Sequence, residues 1–456
     1  MRPPVPEWAR RDWLIGAAVF ILVFGAYNAN CREIPSYDSL PTKVTAIEFA
    51  RYHQLTLDRP VALTPALASR PGFLRDRDGH FRSAYSVFPA LLASGVASVL
   101  HLAKIVDLRA PLAPSLVAKL TASLLVALGV AMAYVVARRR LGRGAAVLIA
   151  VGLGLGTNFW AVASQTLWQT ETVAATLAGV VACLAVPSER LTVARLWLAS
   201  LLLGCAGATR PQIAPVIAVL ALAIVVRRHR VSDLFALLPL AGVAACAMWL
   251  NVRWFGDPFG AFPRLELLHP GVHAVSSSLG NPLVGIPGLL VSPNRGLVVF
   301  SPVVLVALAA LPAMRREGVD DDLHWWAMAA SVQICAYGCY SVWWGGHTYG
   351  PRYLLDVLPL LVPLAAAGLP WMSARRWRRA AGIVALAWSV TVAVTGALVY
   401  PHELWNSDPD EIDLNHARVW DWRDLQVVCC WKAGFDPRNF ILFSRAAIHQ
   451  QSIGGR

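Results

Sequence analysis

The sequence predicts an all-α, polytopic membrane protein of about eleven transmembrane helices, with a cytoplasmic amino terminus, an external carboxyl terminus and amphipathic helices in the first external loop. Three observations carry this. Of 456 residues, 57% are hydrophobic and 15% charged, an imbalance that excludes an ordinary soluble enzyme. Long uncharged apolar runs recur along the chain. The net charge of +13 gathers in short basic stretches between those runs, a pattern of cytoplasmic anchoring and not of nucleic-acid binding.

Runs long enough to cross a hydrocarbon core of roughly 30 Å lie near residues 13–30, 112–136, 145–162, 171–187, 195–209, 212–226, 234–250, 301–314, 323–343, 353–372 and 380–400. A further stretch, 85–104, contains Pro89, His101 and Lys104 and reads either as a span or as a helix lying at the interface. Positive charge decides between them. With 85–104 on the surface, the short stretches 1–12, 137–144, 188–195, 227–233, 315–322 and 373–379 share one side and hold 18 basic residues in 50 positions, against 21 in 207 opposite. The denser side belongs to the cytoplasm. The first run follows a basic start, as a signal peptide would, but ten more spans follow and it reads as a retained anchor. The chain thus divides into a transmembrane domain, 1–400, with long external loops at 31–111 and 251–300, and an external tail, 401–456. Five of the eight cysteines lie in apolar runs; Cys31, Cys429 and Cys430 do not, and a bridge between Cys31 and one of the others is compatible with the sequence without being indicated by it.

The polar residues of the external face carry the chemistry. Loop 31–111 opens with Tyr37-Asp38-Ser39-Leu40-Pro41, and 39–54 predicts a short helix with Leu40, Val44, Ile47 and Ala50 on one face. Asp38 fits two roles: an N-terminal cap of that helix, or a general base at the membrane surface. Glu171 starts an apolar helix, where the helix dipole favours a carboxylate, and Trp168 precedes it at anchor height. Arg210, in Thr209-Arg210-Pro211, stands alone in an apolar hairpin and either snorkels to water or meets an anion. Ser292-Pro293-Asn294-Arg295-Gly296 is a turn presenting one cation between hydrophobic stretches.

The segment from Trp343 to Tyr353 is the least ordinary of all. Its aromatics and glycines suit a sugar ring, and the planar fork of Arg352 suits a phosphate. His269 and His273 are four apart, but Pro270 between them argues against a helical metal pair.

Together these residues resemble the C-type (GT-C) membrane glycosyltransferases that use polyprenyl-phosphate sugars, especially the bacterial branch similar to protein mannosyltransferases and lipid A aminoarabinose transferases. Asp38, after Tyr37, matches the family's catalytic Asp just beyond span 1, although Ser39 stands where a second acid often follows. Glu171 looks like the acidic residue that starts the helix after the second external turn, and Arg210 like the basic residue after a small-residue helix. The resemblance implies transfer of a sugar from a polyprenyl-phosphate donor to a lipid, polysaccharide or protein acceptor on the external side of a bacterial inner membrane. Asp38 would be the general base of an inverting displacement, and Arg210, Arg352 and Arg295 would hold the donor phosphate. Glu171 would orient the acceptor or a divalent cation, Mg or Mn, without a dedicated metal site. Tyr37, Trp344, His347, Tyr349 and Tyr353 would pack the sugar or acceptor. Two readings from other classes stand beside it: a transporter or flippase of a lipid-linked sugar, expected to bury ionisable groups at mid-bilayer, and a scaffold whose Trp-rich tail binds a partner.

Overall fold

The computed structural model describes residues 10–36, 38–228, 231–261, 279–315, 321–435 and 442; Tyr37, His269 and His273 lie outside them. The helices are α1 (Arg10–Asn28), α2 (Ser39–Tyr52), α3 (Asp58–Leu63), α4 (Val87–Leu102), α5 (Ala113–Arg138), α6 (Arg143–Leu155), α7 (Thr170–Leu184), α8 (Val193–Thr209), α9 (Ala214–Arg228), α10 (Leu238–Phe255), α11 (Pro282–Val291), α12 (Leu297–Phe300), α13 (Leu311–Met314), α14 (Asp321–Gly338), α15 (Leu358–Ser373), α16 (Arg376–Leu398) and α17 (Gln426–Ala433). Among the described residues the strands form one antiparallel hairpin, β1 (Phe73–Arg75) with β2 (Phe81–Ser83), in the register Phe73 to Ser83 and Arg75 to Phe81.

Among the described residues three helices are long and apolar enough to cross a membrane, Ala113–Arg138, Leu234–Phe255 and Arg376–Leu398, and eight shorter apolar helices have 10–17 residues. The expected run 301–314 is not one α-helix. It begins at Pro302 as the 3₁₀ segment Pro302–Ala310 and becomes α-helical only at α13. α15 packs along this segment closely enough that a Cβ at Gly368 would fall 2.2 Å from the Val306 carbonyl oxygen.

α5 is the central post, packed on α1, α6, α7 and α15. Its small residues Ala118, Ala122, Ala127 and Ala133 are fully or nearly fully buried, which lets neighbouring backbones approach where dispersion is the main attraction available. At its basic end Arg138 donates to Asp12 of α1 at 2.8 Å, and Arg143 reaches the same carboxylate at 2.9 Å.

The helix expected at 39–54 is α2, and 85–104 forms α4, which packs against α2 and α5 and leaves Val99 and Leu102 exposed. Leu40 and Val44 of α2 lie on a cluster of Leu57, Val61, Phe73 and Phe81, while Ala46 and Ile47 join Ala90, Ala93 and Leu116. The segment between α1 and α5 is thus a folded unit that seats one end of α2 beside the bundle. All eight cysteines are free thiols.

Candidate active site

Asp38 immediately precedes α2 but does not cap it: its backbone is already helical (φ −65°, ψ −32°) and its carboxylate makes no capping bond. Ser36 takes that role. The Ser39 amide donates to the Ser36 hydroxyl at 3.1 Å, and the Ser36 amide donates back to the Ser39 hydroxyl at 3.1 Å. The carboxylate is left for other work, with its side chain 36% exposed. The Tyr85 hydroxyl donates to Oδ1 at 2.9 Å, and Nη1 of Arg352 stands 3.4 Å from Oδ2.

Arg352 begins the 3₁₀ turn Arg352–Asp356, which packs on α7. Its guanidinium lies 4.7 Å from the Trp168 ring centre and 5.5 Å from that of Tyr353. On the far side Arg210 lies 5.9 Å from the Tyr353 ring and 5.6 Å from that of Tyr337, and the two tyrosine rings stack at 5.1 Å. Tyr353 therefore sits between two guanidinium groups. Arg210 occupies an extended residue between α8 and Pro211, where the helix must stop, and its Nη1 meets Asp356 Oδ2 at 2.8 Å. The Tyr337 hydroxyl donates to the same oxygen at 2.6 Å. Burial would weaken the hold of Arg210 on its proton, but the Asp356 carboxylate together with Tyr337, Tyr353 and Tyr340 more than offsets it and raises its pKa, so Arg210 stays a cation.

The sequence expectations divide here. Asp38, Arg352, Tyr353 and Arg210 come together as one chain of contacts. Glu171 is fully buried and caps its own helix, its oxygens accepting from the Gln169 amide at 2.9 Å and the Thr172 hydroxyl at 3.1 Å. This is the dipole-and-cap role, with each carboxylate oxygen of Glu171 already engaged once and the side chain enclosed.

Arg295 is corrected outright. It is 0% exposed, and all five of its N–H donors are spent: Nε on the Trp344 carbonyl, Nη1 on the Asn294 carbonyl and Gln426, Nη2 on the Gly346 carbonyl and Asn406. Burial pulls its pKa down to about 10, against the opposing pull of Tyr400, Asp413 and Glu403. It is a structural hub, closed to a ligand.

Three of the expected sugar contacts are likewise enclosed or engaged. Trp344 is 4% exposed, stacks on His416 at 4.7 Å and donates from its indole to Asp413 at 2.9 Å. Tyr349 is fully buried, donating to the Val392 carbonyl at 2.8 Å. His347 is half-exposed but pairs with Glu411 at 2.7 Å. The tail thus clamps the 343–353 loop through Trp344 and His347, while Tyr349 is held by α16.

Sequence reasoning missed Tyr85, Tyr337 and Asp356. Asp356 had a signal, a lone carboxylate in the apolar run 353–372, which membrane cost makes informative. Tyr85 had none, since nothing local ties it to Asp38. A second buried polar group flanks the site: Lys43 Nζ bonds both oxygens of Glu33, at 2.9 and 2.7 Å, and Ser115 at 3.1 Å, while Lys119 Nζ bonds Gln165 at 2.7 Å. Among the described residues no group of three or more His, Cys, Asp or Glu side chains could hold a metal ion.

No family model and no curated protein matches the sequence. Solved structures do match. The crystal structure of ArnT from Cupriavidus metallidurans in the apo state superposes with a TM-score of 0.52 at 16% identity, covering 97% of this chain and 78% of that one. The archaeal oligosaccharyltransferase AglB from Archaeoglobus fulgidus, in complex with an inhibitory peptide and a dolichol-phosphate, gives a TM-score of 0.45 at 12% identity, and this chain spans 60% of its length. At such identities likeness speaks for architecture alone, and nearly the whole of this chain shares its architecture with ArnT.

Proposed function

We propose that the chain is a membrane glycosyltransferase that moves a sugar from a polyprenyl-phosphate donor to an acceptor hydroxyl on the external face of a bacterial inner membrane. The observation that carries the reading is the pairing of Asp38 with Arg352, beside the Trp168, Tyr353 and Arg210 wall. A donor with its chain in the bilayer brings a phosphate and an anomeric carbon to that height, and needs a cation for the one and a base opposite the other.

Asp38 Oδ2 has only a long contact to Arg352, so it can accept the proton of an attacking hydroxyl. The acceptor oxygen bonds to the anomeric carbon as the bond to phosphate breaks, which inverts the centre. Arg352 stabilises the phosphate charge that develops, with Arg210 adding to the field from behind Tyr353. The acceptor is a lipid, a polysaccharide or a protein carrying that hydroxyl.

Asp38→Asn keeps the size of the side chain and removes the base, and it should lower transfer of label from a radiolabelled polyprenyl-phosphate hexose by about 10²- to 10⁴-fold. Undiminished transfer by a normally expressed variant refutes the reading. The buried Arg210–Asp356–Tyr337 group is also what a lipid-sugar transporter would carry. Sealed vesicles separate the two: label joins an acceptor in one case and merely crosses in the other.

A further inference from the structure

Among the described residues Tyr85 is the hydroxyl that bonds Asp38, and the first external loop is shaped around delivering it. The hairpin β1–β2 is pinned at its base by the Leu57 amide on the Phe81 carbonyl, and Asp58 accepts the Phe81 amide at 2.7 Å. Ala84 N–H then reaches back to the Gly72 carbonyl at 2.9 Å, which turns the next residue toward α2. Gly72 has a φ of +88°, and a Cβ there would lie 2.8 Å from Tyr85 Cε2 and 2.9 Å from Pro41 Cγ. The glycine is therefore the floor under the ring, between the hairpin and the first turn of α2. Ser86 caps α4 directly afterwards, its hydroxyl accepting from the Phe88 amide, so the residue is held from both sides.

We propose that Tyr85 is a positioning residue of the transferase: its hydroxyl on Oδ1 and Arg352 on Oδ2 together lock the plane of the Asp38 carboxylate toward the incoming acceptor. The inference rests on the reading of Asp38 as the base and names the group that aims it. Burial, and then the neighbouring carboxylate, push the Tyr85 phenol well above its usual range, with Arg352 opposing. It keeps its proton over the working pH range and acts as a donor only. The remaining charged groups around α2 are engaged elsewhere: Lys43 on Glu33, Arg82 on Asp76, Lys119 on Gln165, with Glu48 beside Arg59 and Arg51. Among the described residues Tyr85 and Arg352 are the titratable groups that contact Asp38.

The test uses the full chain in membranes, with whichever undecaprenyl-phosphate sugar the wild type turns over, tritiated in the sugar. Tyr85→Phe keeps the ring and deletes one bond to a carboxylate. It should lower kcat about tenfold with donor KM within about twofold, since the lost contact serves the reacting geometry and not donor binding. Taking one donor away from a carboxylate favours its neutral form, so the acid limb of the kcat profile should move to higher pH. Gly72→Ala, which displaces the ring without touching either hydroxyl or carboxylate, should move both readouts in the same directions. Wild-type kcat and an unmoved acid limb in Tyr85→Phe overturn the positioning role, as does a fall in kcat with the acid limb in place. Asp38→Asn separates the two claims: if it is inactive while Tyr85→Phe is normal, only the positioning role fails, whereas an active Asp38→Asn removes the base and this inference with it.

Discussion

Replacing Arg295 with Met tests whether this guanidinium holds the protein or the donor. The structure gives five donors, each with an acceptor, at 2.7 to 3.3 Å, from three separate pieces of chain: the turn at 292–296, the loop at 343–353 and the external tail. Met fills similar space and makes none of these bonds. Five net contributions of about 1 kcal/mol each are lost, and relief from burying a cation offsets part of that, leaving a destabilisation of about 3–5 kcal/mol. Thermal unfolding in detergent can be followed with a thiol-reactive dye, because buried Cys183 and Cys430 become reactive when the bundle and the tail open. The midpoint should fall by several degrees. Arg295→Lys is the sharper variant, since one ammonium cannot reach five acceptors around a planar fork, and it should lose about 2 kcal/mol. A phosphate-binding residue would behave otherwise, with Lys tolerated, stability kept and donor KM raised. Normal stability in Arg295→Met with a raised donor KM would refute the hub.

Two further outcomes follow from the same contacts. Asp356→Leu leaves Arg210 and the Tyr337 hydroxyl buried without their partner and should cost about 3–5 kcal/mol, while the double variant Arg210→Met/Asp356→Leu should regain most of the stability and none of the transfer; a coupling near zero in the double-mutant cycle would count against the pair. Asp76 accepts the Asp78 and His80 amides and the Arg82 guanidinium, which overcome the opposing effect of burial and hold its carboxyl below the usual range. That stabilisation is present above the unfolded carboxyl pKa near 4 and lost as pH falls through the depressed value, so the protection of amides in the 73–83 hairpin, relative to their intrinsic exchange at each pH, should fall at acid pH. Asp76→Asn should bring the lower protection already at neutral pH, and unchanged protection in that variant would be the contrary result.

Residues that act locally were readable in advance. Long apolar runs must be helices where lipid cannot satisfy backbone groups, and α5, α7, α8 and α16 lie where hydropathy places them. The short helix after Asp38 and the cap-forming place of Glu171 follow from periodicity and helix ends, and so does the position of Arg210 between a helix and a proline. Only the chain's return could show the rest. Asp38 meets Tyr85 across 47 residues and Arg352 across 314, and Arg295 meets Gln426 across 131. No local spacing distinguishes an arginine that will meet water from one whose five donors distant pieces of chain will cover, so Arg295, Trp344 and Tyr349 read alike as ligand groups, although the tail meets the first two and α16 holds the third.

Hydropathy and charge acted one segment at a time, and that was enough to make the helices and to set a carboxylate and several guanidinium groups among them. Which of those cations stand open beside Asp38 and which are sealed in was settled by folding, because desolvation and hydrogen-bond satisfaction belong to neighbours that the chain brings together from hundreds of residues apart.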